Sequence, residues 1–249
     1  MKKYGLLGFP LTHSFSKRYF TEKFEKANLD ACYNNFEIDA IEKFPEVVKN
    51  NSGIVGFNVT IPYKQQIIPF LNELCDEARE IGAVNTIKVV HTSEGTQFIG
   101  FNTDTFGFAD SLKPLLKTHH KKALILGTGG ASKAVKYVLD QLGIECRFVT
   151  RKNSVDNEIN YNNLSEEIMK EHTLIVNTTP LGTFPKENTF PPIPYEYISG
   201  KHLLYDLVYN PEITQFMAKG KANGAVVKNG YDMLVLQAEK SYKIWNSKE

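Results

Sequence analysis

The chain of 249 residues has little cysteine, almost no net charge and no long apolar run. Its three cysteines, Cys32, Cys75 and Cys146, stand far apart and form no Cys-x-x-Cys pair. So sparse and odd a set argues against a disulfide scaffold or zinc finger and fits a reducing cytoplasm. Lys plus Arg number 29 and Asp plus Glu 28, for a formal charge of +1. Without a global field, neither nucleic acid nor an acidic membrane surface is expected as a partner. No stretch reaches the roughly 20 apolar residues that span a bilayer. The run Tyr4–Phe9 stops at Pro10 with no small-residue cleavage site, so it does not read as a secretory signal. The six histidines make no i, i+4 pair and no Cys/His cluster, and no metal is expected.

What is present is ordinary globular material, 42% hydrophobic and 23% charged. Short apolar runs alternate with amphipathic stretches, the pattern of an α/β protein. In the first half strands are expected at Tyr4–Gly8, Tyr33–Ile38, Ile54–Val59, Val84–Val90 and Gln97–Phe101, the last two joined by a turn at Ser93-Glu94-Gly95. Helices are expected from Ser14 and over Ile41–Lys49, Glu73–Ile81 and Thr105–Leu116. The second half opens with strand Ala123–Leu126, helix Ser132–Leu142 and strand Ile144–Val149, a βαβ unit. Strands at Leu174–Val176, Leu203–Leu207 and Ala225–Val227 follow, then a last helix, Tyr231–Trp245.

Gly127-Thr128-Gly129-Gly130-Ala131 joins the first strand of that unit to its helix. Glycine there lets the backbone approach a pyrophosphate at a helix N-terminus, although any tight strand-to-helix turn also favours it. Gly127 and Gly129 fill two positions of G-x-G-x-x-G/A, with Ser132 at the third. The next strand ends Thr150-Arg151-Lys152, with no carboxylate for a ribose 2′-hydroxyl. Arg151 and Lys152 suit a 2′-phosphate instead, so the pair of signals favours NADP.

Polar residues also gather at strand ends in the first half, where α/β sheets build sites. Ser14 and Ser16 follow the first strand, Thr60 and Lys64 the third, Asn85 opens the hairpin, and Asn102-Thr103-Asp104 closes it. Hydroxyls, amides, one lysine and one carboxylate suit a small polyhydroxylated acid. Each has a plainer role open to it: a helix cap for Ser14, Ser16 or Asp104, a hairpin bond for Asn85, a solvated side chain for Lys64.

Taken in order, Ser14-Phe15-Ser16-Lys17, Asn58-Val59-Thr60-Ile61-Pro62-Tyr63-Lys64, Ala83-Val84-Asn85-Thr86 and Asn102-Thr103-Asp104 form a set. With the glycine loop, Asn177-Thr178-Thr179-Pro180-Leu181-Gly182, Tyr209-Asn210-Pro211, Gly230-Tyr231 and Gln237-Ala238, the set resembles the shikimate dehydrogenase family over nearly the whole chain. The resemblance implies an N-terminal α/β substrate-binding catalytic domain (1–104), a Rossmann-like NADP-binding domain (105–230) and a C-terminal helix (231–249) packing back on the first domain. It implies reversible NADPH-dependent reduction of 3-dehydroshikimate to shikimate, a step of the shikimate pathway towards chorismate and the aromatic amino acids. A cytoplasmic monomer or homodimer is expected.

By the same resemblance Ser14 and Ser16 hold the substrate carboxylate. Thr60, Lys64, Asn85, Asp104 and Gln237 bind the ring hydroxyls and reacting oxygen, with Tyr209 nearby. Gly127, Thr128, Gly129, Gly130, Ala131, Thr150, Arg151, Lys152, Asn177, Thr178, Thr179 and Gly230 meet the cofactor. Hydride delivery to a carbonyl makes an alkoxide that must be stabilised and protonated; an ammonium at Lys64 can do both, with Asp104 to orient it. Two alternatives stay open: a quinate/shikimate dehydrogenase using NAD, which Arg151 disfavours, and a non-catalytic NADPH-binding sensor, which would need neither Lys64 nor Asp104. Tyr19 and Lys23 spell Y-x-x-x-K but precede the glycine loop, and read as ordinary helix positions.

Overall fold

The computed structural model describes residues 1–11, 14–93, 95–151 and 158–247. The chain divides into two units, Met1–Thr103 together with the segment from Ala238, and Asp104–Gln237.

The first unit holds β1 (Lys2–Gly8), α1 (Phe15–Lys26), β2 (Ala31–Glu37), α2 (Phe44–Asn50), β3 (Ile54–Val59), β4 (Glu73–Leu74), α3 (Asp76–Ile81), β5 (Thr86–Thr92) and β6 (Gly95–Phe101). Its sheet runs β2-β1-β3-β5-β6-β4. β1 lies parallel to β2 and β3, whereas β5 is antiparallel to both β3 and β6. One face packs Phe44, Phe57, Ile67 and Ile87; the other packs Tyr4, Phe20, Phe24 and Tyr33. Burial on both faces explains why β1 and β3 read as continuous apolar runs rather than alternating ones. The stretch expected as a single helix from Glu73 is split. Glu73–Leu74 pairs with β6, and α3 starts only after Cys75, whose thiol accepts from the Ala78 amide at 3.4 Å. Of the hairpin turn, Glu94 lies outside the described residues.

The second unit holds α4 (Asp104–Leu112), β7 (Lys122–Leu126), α5 (Gly130–Gln141), β8 (Glu145–Thr150), β9 (Glu158–Asn160), α6 (Glu166–Glu171), β10 (Leu174–Asn177), β11 (Leu203–Asp206), α7 (Gln215–Ala222), β12 (Val226–Lys228) and the start of α8 (Tyr231–Trp245). The sheet is wholly parallel in the order β12-β11-β10-β7-β8-β9. This is the Rossmann-like doubly wound arrangement, in which the winding reverses between the unit's first and fourth strands. Ala123, Ile125, Leu174 and Val176 pack on one face and Leu124, Leu126 and Ile175 on the other. β9, α6 and α7 were not expected. At 3, 6 and 8 residues they are too short to show a period. α4 begins at Asp104, which sits in its first turn rather than at a cap before Thr105.

From Ala238 onward α8 belongs to the first unit. Trp245 is buried among Tyr4, Phe20 and Tyr33, and its indole donates to the Ile87 carbonyl at 3.0 Å. Gly56 makes room for it, because a Cβ there would run into the indole ring. Glu239 accepts from Lys23 at 2.6 Å and from Tyr19, so the Y-x-x-x-K pair on α1 is a clamp for α8. Trp245→Ala should destabilise the chain by about 3–5 kcal/mol in urea denaturation. A loss below about 1 kcal/mol would mean that the indole does not seal this core.

Candidate functional site

Four strand ends meet at one edge of the first sheet. β1 and β3 finish there, β5 begins there and β6 finishes there, because β5 runs antiparallel to its neighbours. Ser14 is the N-cap of α1 after β1, and its Oγ accepts from the Lys17 amide at 3.1 Å. Ser16 lies one turn-position inside the helix and bonds to the Tyr33 phenol. Thr60 follows β3, its amide donating to the Leu7 carbonyl at 2.9 Å. Lys64 is half-buried, and its carbonyl accepts from the Val84 amide at 2.7 Å, which ties the lysine turn to the Asn85 segment.

Beneath this edge runs a buried polar chain. Tyr33 donates to Asn58 Oδ1 at 2.8 Å; Asn58 Nδ2 donates to Ser241 Oγ at 3.0 Å and to Thr86 Oγ1 at 3.3 Å. Ser241 also meets Thr86 at 2.8 Å and Thr103 at 3.1 Å. Asn85 closes the chain: its Oδ1 accepts from the Thr103 amide at 2.7 Å and its Nδ2 donates to Thr103 Oγ1 at 3.0 Å. Burial pushes the Tyr33 phenol well above its ordinary pKa, so it stays a neutral donor. Tyr33 and Ser241 were not singled out in the sequence, and Thr86 was quoted only within its motif, with no role assigned. A serine on the α8 stripe that also carries Gln237 and Ala238 was the available signal.

In the second unit, Asp104 and Gln237 stand on facing helices. Gly107 lets α4 approach α8 closely, since a Cβ there would stand 3.1 Å from the Gln237 Cβ and 3.2 Å from its amide. Both Asp104 and Gln237 are buried, and Gln237 Nε2 donates to the Leu234 carbonyl at 3.0 Å. Gly230 packs on the Leu207 backbone, with its amide on the Val208 carbonyl at 3.1 Å, just before half-buried Tyr209.

At the winding reversal, the ends of β7 and β10 meet. Thr178 donates to the Leu126 carbonyl twice, from its amide at 3.0 Å and its Oγ1 at 2.7 Å. Gly127 has φ 105°, and a Cβ would press on Thr179 at 3.0 Å and Thr178 at 3.1 Å. Next to it Gly129 has open space where a side chain would stand, and precedes α5 with no side-chain cap and no acid in the first turn. Thr128, Gly130 and Ala131 complete this turn. Ser132 fits the third glycine position by donating to the Gly129 carbonyl at 2.6 Å. An anion therefore finds glycine-lined backbone and a positive helix end here. Thr150 is buried at the end of β8 and Arg151 is exposed beside it; Lys152 lies outside the described residues. The residues present fit a dinucleotide.

Asn177 and Asp206 end neighbouring strands in register. Asn177 Nδ2 donates to Asp206 Oδ1 at 2.9 Å, and Asn177 Oδ1 accepts from the Thr179 amide at 3.0 Å and hydroxyl at 2.6 Å. Burial pushes the Asp206 carboxyl up to about 6, against the opposing pull of donors from Thr214, Val208 and Asn177. Asp206 was not among the expected site residues. Its signal was a carboxylate inside the apolar run Leu203–Leu207.

The family model for the shikimate dehydrogenase substrate binding domain matches residues 6–87. A shikimate dehydrogenase (NADP(+)) of Caldicellulosiruptor saccharolyticus is 36% identical over 262 aligned positions, spanning 98% of this chain and 92% of its own. The crystal structure of shikimate dehydrogenase 1 from Peptoclostridium difficile superposes with a TM-score of 0.85 at 38% identity, covering 100% of this chain and 93% of that one. Shikimate 5-dehydrogenase from Thermus thermophilus, solved in complex with NADP(H) and shikimate, gives 0.80 at 28% identity, covering 99% and 94%.

The raised Asp206 pKa has a definite sign. Its folded value of about 6 exceeds the ordinary 3.8, so its contribution favours the folded state below about pH 4 and is lost as pH rises through about 6. Asp206→Asn should therefore gain stability relative to the parent between about pH 4 and pH 7, by on the order of 3 kcal/mol. Urea melts across that range measure it; a difference independent of pH would contradict the assignment.

Proposed function

This chain belongs to the shikimate dehydrogenase family, and on that premise we propose that it catalyses the reversible NADPH-dependent reduction of 3-dehydroshikimate to shikimate. It thereby serves the shikimate pathway to chorismate and the aromatic amino acids. The observation that carries the reading is the gathering of Ser14, Ser16, Thr60, Lys64 and Asn85 at one edge of the first sheet. Residues 1–104 form the substrate domain in this proposal, 105–230 the NADP domain, and 231–249 the returning helix. A cytoplasmic location and a monomeric or homodimeric state belong to the same proposal.

The residues divide the work by chemistry. Ser14 Oγ accepts from the Lys17 amide, so its proton is directed to an outside acceptor, the substrate carboxylate, with Ser16 beside it. Thr60, Asn85, Gln237 and Tyr209 bind ring hydroxyls, and Asp104 accepts from one of them. The Lys64 ammonium holds the reacting oxygen, stabilises it as charge develops, and gives it a proton. Its backbone bond to Val84 fixes where that ammonium starts from. Gly127, Thr128, Gly129, Gly130 and Ala131 at the N-terminus of α5 hold the pyrophosphate. Thr150, Arg151 and Lys152 hold the 2′-phosphate and adenine end, and Asn177, Thr178, Thr179 and Gly230 the nicotinamide side. Bound NADPH supplies the hydride.

Lys64→Ala should lower kcat by about 10²–10⁴-fold while the KM for shikimate moves less than about fivefold. Near-normal kcat would remove Lys64 from the chemistry. Arg151→Ala should raise the KM for NADP+ and leave that for NAD+ unchanged. An unaltered ratio of the two would show that the arginine does not read the 2′-phosphate.

A further inference from the structure

The second unit buries a carboxylate that the chemistry above does not use. Asp206 is fully buried at the end of β11, and its partners are neutral donors: Asn177 Nδ2 at 2.9 Å and the Val208 amide at 3.0 Å on Oδ1, and Thr214 Oγ1 at 2.6 Å on Oδ2. The charge acts in turn on the Tyr195 phenol, whose pKa is raised first by burial and then by Asp206. Taking a carboxylate out of water costs several kcal/mol unless donors replace the solvent. The three donors come from three separate pieces of chain. Asn177 opens the 177–182 loop, Val208 precedes Tyr209, and Thr214 caps α7. Asn177 passes the constraint on, because its Oδ1 takes both the amide and the hydroxyl of Thr179 and its Nδ2 also reaches the Leu181 carbonyl at 3.4 Å. Thr179 in turn faces Gly127 of the glycine turn.

We infer, on the cofactor reading above, that Asp206 is a positioning residue for the dinucleotide. Its carboxylate holds the 177–182 loop in the shape that the nicotinamide side meets, and ties that loop to the segment carrying Tyr209. An apolar residue at 206 would leave one N–H of the Asn177 amide and the Val208 N–H buried without an acceptor, and Thr179 would lose part of its support. An asparagine at 206 keeps an acceptor oxygen for Asn177 and Val208 and turns its amide towards Thr214 Oγ1, so the bracket survives without the charge.

The test titrates NADP+ into the full chain by calorimetry, for the parent, Asp206→Ala and Asp206→Asn, beside steady-state kinetics. Asp206→Ala should bind NADP+ about tenfold more weakly or worse, with KM rising in step and kcat falling less than about threefold. Asp206→Asn should stay within about threefold of the parent in both. An unchanged affinity in folded Asp206→Ala overturns the inference, as does an asparagine variant as weak as the alanine one. Should Asp206→Ala not fold, Thr214→Val releases the Oδ2 clasp, and the α7 cap with it, while Asn177 and Val208 keep their acceptor. A loss of affinity of about threefold is then expected, and none overturns the inference. A parent that binds NADP+ but does not oxidise shikimate overturns the dehydrogenase reading alone. A parent that oxidises shikimate, with unaltered NADP+ affinity in the variants, overturns the bracket alone.

Discussion

Where a parallel strand ends, its last amides and carbonyls lose their ladder partners, and the strand-end segments of both units are built on how those groups are satisfied. In the first unit the Thr60 amide reaches back to Leu7 and the Val59 amide to the Asn85 carbonyl. In the second, Thr178 caps the Leu126 carbonyl and the Leu207 amide takes the Asn177 carbonyl. Short polar residues are needed at these places for backbone reasons alone. The same residues are the ones proposed to meet the ligands, so in that reading structural and functional demands coincide at Thr60, Asn85 and Asn177.

That coincidence explains the returning helix. α8 seals an aromatic core with Trp245, and it also brings Ser241 to the polar chain of Asn58, Thr86 and Thr103. Without that hydroxyl, buried groups on three strand ends would lose a partner, at about 1–3 kcal/mol for each group left unsatisfied. The last turns of the chain thus both seal that core and fix the floor under Asn85. Asp206 plays the matching part in the second unit, where a costly buried carboxylate is retained because three loop donors converge on it.

The fold was legible wherever burial on both faces makes a strand uniformly apolar, as in β1, β3, β7 and β10, and wherever a helix is long enough to show its face, as in α1, α5 and α8. It was illegible where an element is too short to repeat its period, as in β4, β9 and α6, or where a cap decides the boundary, as Cys75 does for α3. Ser14, Lys64, Asn85 and the glycine turn could be picked out because spacing sets them at strand ends. Tyr33, Ser241 and Asp206 could not, since their partners are 25, 183 and 29 residues away along the chain. A hydroxyl in a helix, or a carboxylate in a strand, shows its purpose only when the groups around it are in place.

In the function proposed, one chain joins a hydroxyl-and-lysine substrate edge to a nucleotide sheet that reads a 2′-phosphate. That function is tested most directly by following the absorbance of reduced nicotinamide in purified protein supplied with shikimate and either NADP+ or NAD+. The account predicts steady reduction with a kcat/KM for NADP+ at least about tenfold above that for NAD+. No reduction with either cofactor, or equal rates with both, would contradict it.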